Sequence, residues 1–381
     1  MGRRKSVSIF VLIDALGWEF LKDRGFLPGI LKYRRRVPTI LGFSSGVIPS
    51  ILTGTKPQEH GHWNLFYLNP EGSPFKWTRP MAVLPKGVIN ARVIRKGIHL
   101  ISRKVSRYGG YFHIYGVPSE FLHFFDICEK RDIYSPGGIN GTRSIFDLFM
   151  EMEVDYRSFS YHQYSDADIF KAVKEDIATH ARRCYFLYLC ELDSVLHRHC
   201  ADEAVVERSI AWYEKEIEAL FEAARARYGD VELYVFSDHG MTRTTGTYDL
   251  KGEIDVLGFA VPKDYLVLYD STMARFWFFS DDARESITGR LKELDCGHIL
   301  DDGELKDLGV YFPDRRFGEV IFLMKPGCLI NPSHMGNKAP SGMHGFHPDD
   351  DASHASLLAT NDCGEVEDVT GFFTLMRNAV D

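Results

Sequence analysis

The sequence predicts an α/β protein in which a mostly parallel sheet is sandwiched between helices, with an inserted lid and a small α+β cap. Short apolar runs at residues 7–13, 185–189 and 233–236 read as strands buried on both faces, and each ends in carboxylates or histidines. Helical patterns at 166–183 and 203–228 fall between these runs, the second with apolar residues at helical spacing. Strands alternating with helices imply a parallel sheet covered on both faces. Ligands of such sheets bind beyond the carboxyl ends of the strands, where these polar residues fall.

The first strand is read as Ser6–Ile13. The basic start, Met1-Gly2-Arg3-Arg4-Lys5, imitates a secretion signal, but the apolar run after it is short, stops at Asp14 and lacks a small-residue cleavage site. Residues 63–140, rich in aromatics, glycine and proline, break the alternation and are expected to form the lid. Residues 262–335 carry a strand pattern at 274–279, a helix pattern at 283–294 and a strand at 319–324, which together make the expected cap. Residues 1–62, 141–261 and 336–381 then constitute the core.

Composition bounds the function. With 381 residues, 45% of them hydrophobic and 26% charged, the chain has ample material for a large core. Its net charge of -8 argues against a general nucleic-acid binder, which needs a basic footprint to neutralise phosphates. No apolar run approaches the roughly 20 residues that span a bilayer. Seven scattered cysteines, odd in number and without a C-x-x-C pair, fit reduced thiols in a cytoplasmic protein.

Five places carry chemistry. Asp14 ends the first strand. Gly42-Phe43-Ser44-Ser45-Gly46 precedes Thr53-Gly54 and His60-Gly61, and serines at such a turn ordinarily cap a helix. Asp193 and His197 stand four apart just beyond a strand, where they can converge on one cation. Asp238 and His239 follow another buried strand, and a buried Asp-His pair is costly unless paired or metal-bound. His344 is flanked by Gly342 and Gly345, which let the backbone approach a ligand closely. Together these supply mixed nitrogen and oxygen ligands that suit zinc, with manganese or iron as alternatives, and they are enough for two ions.

The ordered series Asp14, Ser44 with Thr53-Gly54 and His60-Gly61, Asp193…His197, Asp238-His239-Gly240 and His344-Gly345 resembles the alkaline phosphatase superfamily. Within it, the series is most similar to the type I phosphodiesterase/nucleotide pyrophosphatase group. The resemblance implies that Asp193, His197 and His344 hold one divalent metal. It implies that Asp14, Asp238, His239 and the Ser44 hydroxyl hold the other. Ser44 would be the nucleophile, forming a phosphoserine intermediate, and Asn64, displaced by one residue from the family's asparagine after His-Gly, would bind the phosphate. That group usually has threonine followed by Phe-Pro-Asn at the nucleophile; this chain has Ser44-Ser45-Gly46-Val47, so Ser45 is the competing position. No Cys-x-Pro-x-Arg signature of a sulfatase is present.

The implied substrate is a small organic phosphate ester or nucleotide-like phosphodiester. A phosphomonoesterase or phosphotransferase using the same metals is the alternative, and a metal-binding recognition protein without catalysis is a third reading. Residues 88–108 combine apolar residues at nearly helical spacing with Arg92, Arg95, Lys96, Arg103, Lys104 and Arg107. Such a basic amphipathic helix is either a solvated part of the lid or a surface for an anionic membrane or substrate.

Overall fold

The computed structural model describes residues 6–381, and the signal-like residues 1–5 lie outside them. The central sheet has six strands in the order Tyr33–Val37, Ala355–Ala359, Asp230–Phe236, Ser6–Ile13, Cys184–Leu189 and Tyr156–Phe159. Ala355–Ala359 pairs antiparallel with both of its neighbours, and the remaining pairings are parallel. Five of the six strands therefore run the same way, as the alternation of strands and helices predicts.

Side chains alternate across each strand and load both faces. Ile9, Val11 and Ile13 pack with Tyr185, Leu187 and Leu189 beneath the helices Asp166–Thr179 and Glu203–Arg227. Phe10 and Leu12 pack with Phe186 and Tyr188 on the other face, beneath Ser44–Thr53, Ile145–Glu151 and Gly371–Asn378. Full burial on both faces is why these strands read as continuous apolar runs. Each large side chain so buried contributes about 1.5–3 kcal/mol. The helix expected over 166–183 stops at Thr179, because His180 is extended and Arg182 turns back to bond Asp176.

A second, antiparallel sheet orders Tyr265–Asp270, Met273–Phe278, Val320–Met324 and Gly297–Ile299, with the helix Asp281–Lys292 against it. Periodicity did not single out Tyr265–Asp270, since Tyr265, Val267 and Tyr269 face one core while Leu266 and Leu268 face another. That second core comes from the segment 63–140, where Phe66–Leu68 pairs antiparallel with Phe125–Ile127. Phe112, Val117, Phe121 and Leu122 of this segment close over Leu266, Leu268 and Trp277. The basic pattern at 88–108 forms a short helix, Lys86–Ile89, and a longer one, Arg92–Ser106. All seven cysteines are free, and among the described residues no helix is long and apolar enough to cross a membrane.

Candidate active site

Three adjacent strands deliver most of the site. Asp14 directly follows Ser6–Ile13, and its N–H donates to the Leu189 carbonyl at 2.9 Å. Asp238 and His239 follow Asp230–Phe236 after one serine. Asp193 and His197 stand one turn apart on Glu191–His199, the helix after Cys184–Leu189, so their side chains share a face. His344 comes from the turn after Gly342–Met343, a two-residue strand paired with Thr242–Arg243. The turn needs glycine at 345, whose φ is +87° and where a Cβ would meet the Phe43 ring at 2.9 Å.

These six residues form two triads. Asp193, His197 and His344 each offer a ligand atom within 4.8 Å of the others, and so do Asp14, Asp238 and His239. The triads abut, with the His239 and His344 rings stacked at 3.8 Å and 15°. Hydrogen bonds fix which ring nitrogen faces inward. Nδ1 of His239 lies 2.9 Å from the Gly240 carbonyl and Nδ1 of His197 lies 2.9 Å from the Gly342 carbonyl, so each presents Nε2. Nε2 of His239 is 3.2 Å from Asp238 Oδ2 and 3.5 Å from Asp14 Oδ1. The Nε2 atoms of His197 and His344 are 3.2 and 3.5 Å from Asp193 Oδ1.

The bare groups are electrostatically frustrated. Burial lifts the Asp14 carboxyl well above its ordinary range, and the charges of Asp238 and Asp193 lift it further, against a hydrogen bond donated by Tyr188. Burial raises Asp238 too, although His239 and the Ala15 N–H oppose it. His344 is pushed well below its usual value by burial, then by His239 and His197. For His197, burial pulls down, but the Asp193 carboxylate 3.2 Å from its Nε2 prevails and the value rises. Asp14 Oδ1, Asp238 Oδ2 and Asp193 Oδ1 are buried and accept no hydrogen bond. A buried polar group left so costs about 1–3 kcal/mol, and more when charged. Every one of these atoms belongs to a triad, and the donor chemistry fits: each triad could hold a divalent cation.

Ser44 opens the helix Ser44–Thr53, and its Oγ lies 3.0 Å from Nε2 of His239. The neighbouring Ser45 hydroxyl turns instead to the Trp63 carbonyl at 3.4 Å. Gly46 permits this close approach of helix and chain, since a Cβ there would stand 2.5 Å from the same carbonyl. Asn64, the next residue after Trp63, is buried and lines the same cavity as Ser44 and Asp14. Five histidines near these motifs in sequence serve elsewhere. His60 bonds Ser50 at 2.8 Å and His62 donates its N–H to His60, His199 is exposed, His347 faces Glu304, and His354 bonds the Pro348 carbonyl at 2.9 Å.

Before the triads lies a cavity of about 300 Å³, lined among others by Tyr111, Tyr115, Tyr134, Tyr161, Tyr188 and Glu129. Sequence reasoning missed this wall. Tyr188 sits in an apolar strand, where a hydroxyl needing a partner was the available signal. Glu129 gave no signal at all, yet burial pushes its carboxyl up to about 7.

Fold and site together define a phosphoester hydrolase of the alkaline phosphatase superfamily. The sequence profile of the type I phosphodiesterase/nucleotide pyrophosphatase family matches residues 8–347, and the chain belongs to that family. Among solved structures, murine ectonucleotide pyrophosphatase/phosphodiesterase 5 superposes with a TM-score of 0.67 at 16% identity, covering 98% of this chain and 94% of that one. An inactive threonine-to-alanine variant of the murine protein, solved in complex with AMP, gives 0.67 at 15% identity, covering 99% and 95%. Phosphonoacetate hydrolase from Sinorhizobium meliloti 1021, in complex with phosphonoformate, gives 0.65 at 13% identity, covering 99% and 96%. At these identities the likeness is one of fold. No curated protein sequence matches the chain.

Proposed function

We propose that this chain hydrolyses phosphodiesters or pyrophosphates, with Ser44 as nucleophile and a divalent cation, zinc in the first instance, at each triad. Asp193, His197 and His344 hold one cation; Asp14, Asp238, His239 and the Ser44 hydroxyl hold the other. When bound, the cations supply positive charge that favours the Ser44 alkoxide and offsets charge building on the phosphoryl oxygens. Ser44 Oγ gives up its proton and bonds to phosphorus as one ester oxygen departs and takes up a proton, leaving a phosphoserine that still carries the second ester substituent. Water then attacks phosphorus from the opposite side, releasing the phosphate product and restoring the Ser44 hydroxyl. The first N–H groups of Ser44–Thr53, which lack intrahelical acceptors, and the Asn64 amide hold the phosphoryl oxygens.

The observation that carries this reading is the placement of Ser44 Oγ against His239, at the seam of two triads whose inward carboxylate oxygens lack hydrogen-bond donors. The aromatic cavity favours a diester over a monoester, because a phosphate alone does not fill a wall of five tyrosines. The AMP complex of the murine structural neighbour is consistent with such a second substituent.

The test compares p-nitrophenyl phosphate, bis-p-nitrophenyl phosphate and a nucleotide p-nitrophenyl ester, with metals defined. The diesters should be turned over faster, chelation should abolish turnover, and zinc or manganese should restore it. Full activity after verified metal removal would refute the cation assignment. A monoester preference would move the reading to a phosphomonoesterase at the same site.

A further inference from the structure

From Gly72 to Ser119 the sequence contains no aspartate or glutamate, yet it carries nine lysines and arginines, in a chain whose net charge is -8. Among the described residues these nine form one ion pair, Lys76 with Glu71 at 3.6 Å. The same stretch holds seven of the eleven large apolar side chains that stand exposed on the described surface. Cationic and apolar groups concentrated in one segment, most of them lacking the partner they ordinarily find, call for a common explanation.

The helix Arg92–Ser106 shows how they are arranged. Its inner side buries Ile98 and Ser102, and Trp77 is drawn inward by a hydrogen bond to Ser102 at 3.2 Å. Opposite stand Val93 and Leu100, 80% and 56% exposed, which at seven residues' spacing lie within ~20° of each other around the axis. Ile101 flanks them on one side, and Arg92, Lys96 and Arg103 on the other. Val83, Leu84 and Val88, just before this helix in the chain, are exposed as well.

We infer that this face docks on an anionic lipid bilayer, with Val93, Leu100 and Ile101 entering the headgroup region and Arg92, Lys96, Arg103 and Lys104 meeting lipid phosphates. Charge complementarity selects an anionic partner, and the protruding aliphatic side chains select one with an apolar interior. A protein partner would ordinarily be met by an aromatic anchor in a pocket, and here the nearby tryptophan is turned inward. The inner side of the helix is tied to the active-site cavity. Arg95 donates to the carbonyls of Tyr115 and, at 2.6 Å, Val117, and both residues line that cavity. Docking would therefore hold one wall of the cavity beside the membrane surface.

The experiment is co-sedimentation of the purified chain with vesicles of phosphatidylcholine alone and vesicles with about one third phosphatidylglycerol. The chain should bind the anionic vesicles at least ~10-fold more tightly, and added salt should weaken the binding. Lys96→Glu/Arg103→Glu/Lys104→Glu should abolish binding. Leu100→Ser/Ile101→Ser, which leaves the charge unchanged, should weaken it at least ~5-fold by removing the apolar contribution. Both variants should hydrolyse bis-p-nitrophenyl phosphate in free solution as the parent does, which reports an intact fold. Equal binding to both vesicles, or binding to neither, overturns the inference. So does parental vesicle binding by the serine variant, which would mean adsorption by charge alone. Binding of a single-stranded oligonucleotide but of no vesicle, or self-association lost in the serine variant, would assign the face to a different partner and equally overturn it.

Discussion

The carboxyl edge of the central sheet and the outer face of Arg92–Ser106 break the ordinary rules of burial in opposite directions. At the sheet edge, Asp14 and Asp238 are each buried with one oxygen that accepts no hydrogen bond. On the helix, Val93 and Leu100 are 80% and 56% exposed among unpaired cations. A buried polar group and an exposed apolar patch are each more informative than their converse, because folding alone favours neither. Both regions therefore point to something outside the chain. The sheet edge lacks positive charge at fixed points, which small cations can supply. The helix lacks negative charge and apolar cover over a broad area, which no small ligand can supply.

Substitutions can break or sharpen this contrast. The largest effect is expected at the sheet edge, where Ser44→Ala should lower turnover ~10³-fold or more while leaving fold and bound metal largely intact. Steady-state rates with metal analysis on the same samples check this, and parental turnover would remove Ser44 from the chemistry. Next comes Gly240→Ala. A Cβ there would stand 2.1 Å from the Ala352 carbonyl, and the Gly240 carbonyl is the group that orients His239. Overpacking of this kind costs about 1–3 kcal/mol, so the melting temperature should fall along with metal content.

Glu129 belongs to the segment 63–140 but faces the cavity, so it tests where the two regions meet. Burial raises its carboxyl from the ordinary 4.5 to about 7, which means that the folded state binds the extra proton between those values. Stability from this group is thus complete below pH 4.5 and is lost as pH rises through 7. Glu129→Gln should stabilise the protein by about 1–2 kcal/mol at pH 8 and by little at pH 4.5, as read from denaturant titrations. The smallest effect is expected from Ser45→Ala, whose hydroxyl faces Trp63. Its turnover should stay within about threefold of the parent, consistent with loss of one peripheral hydrogen bond. If Ser45→Ala is inactive and Ser44→Ala is not, the nucleophile shifts by one residue and the triads stand.

How much of this was legible in the sequence depended on locality. Strands 7–13 and 233–236 announced themselves because both faces are buried, and their polar ends marked the site edge. Asp193 and His197 were legible as a pair because helical spacing converts four residues into one face. That His344, rather than His354, completes their triad depends on the pairing of Gly342–Met343 with Thr242–Arg243, a long-range contact without a local pattern. The cavity wall was illegible for the same reason. Tyr111, Tyr134 and Tyr161 come from separate loops and line one space only after the sheet is built. The family resemblance pointed to Ser44, but only the course of Trp63 past the helix shows why the two adjacent hydroxyls diverge.

The order in which the chain supplies the triads bears on how the protein matures. Asp14 emerges with the first strand but waits for Asp238 and His239, and Asp193 and His197 wait for His344 in a turn close to the last strand, so the two triads are complete together only when nearly the whole chain is in place. Such non-local assembly is slow, because loop closure must precede the contacts that reward it. Cation uptake then becomes the final act of folding rather than its seed. A nascent or nicked chain lacking the His344 turn should keep the Asp14 triad and lose the other, so only a second bound ion would certify that the late turn has joined the sheet edge.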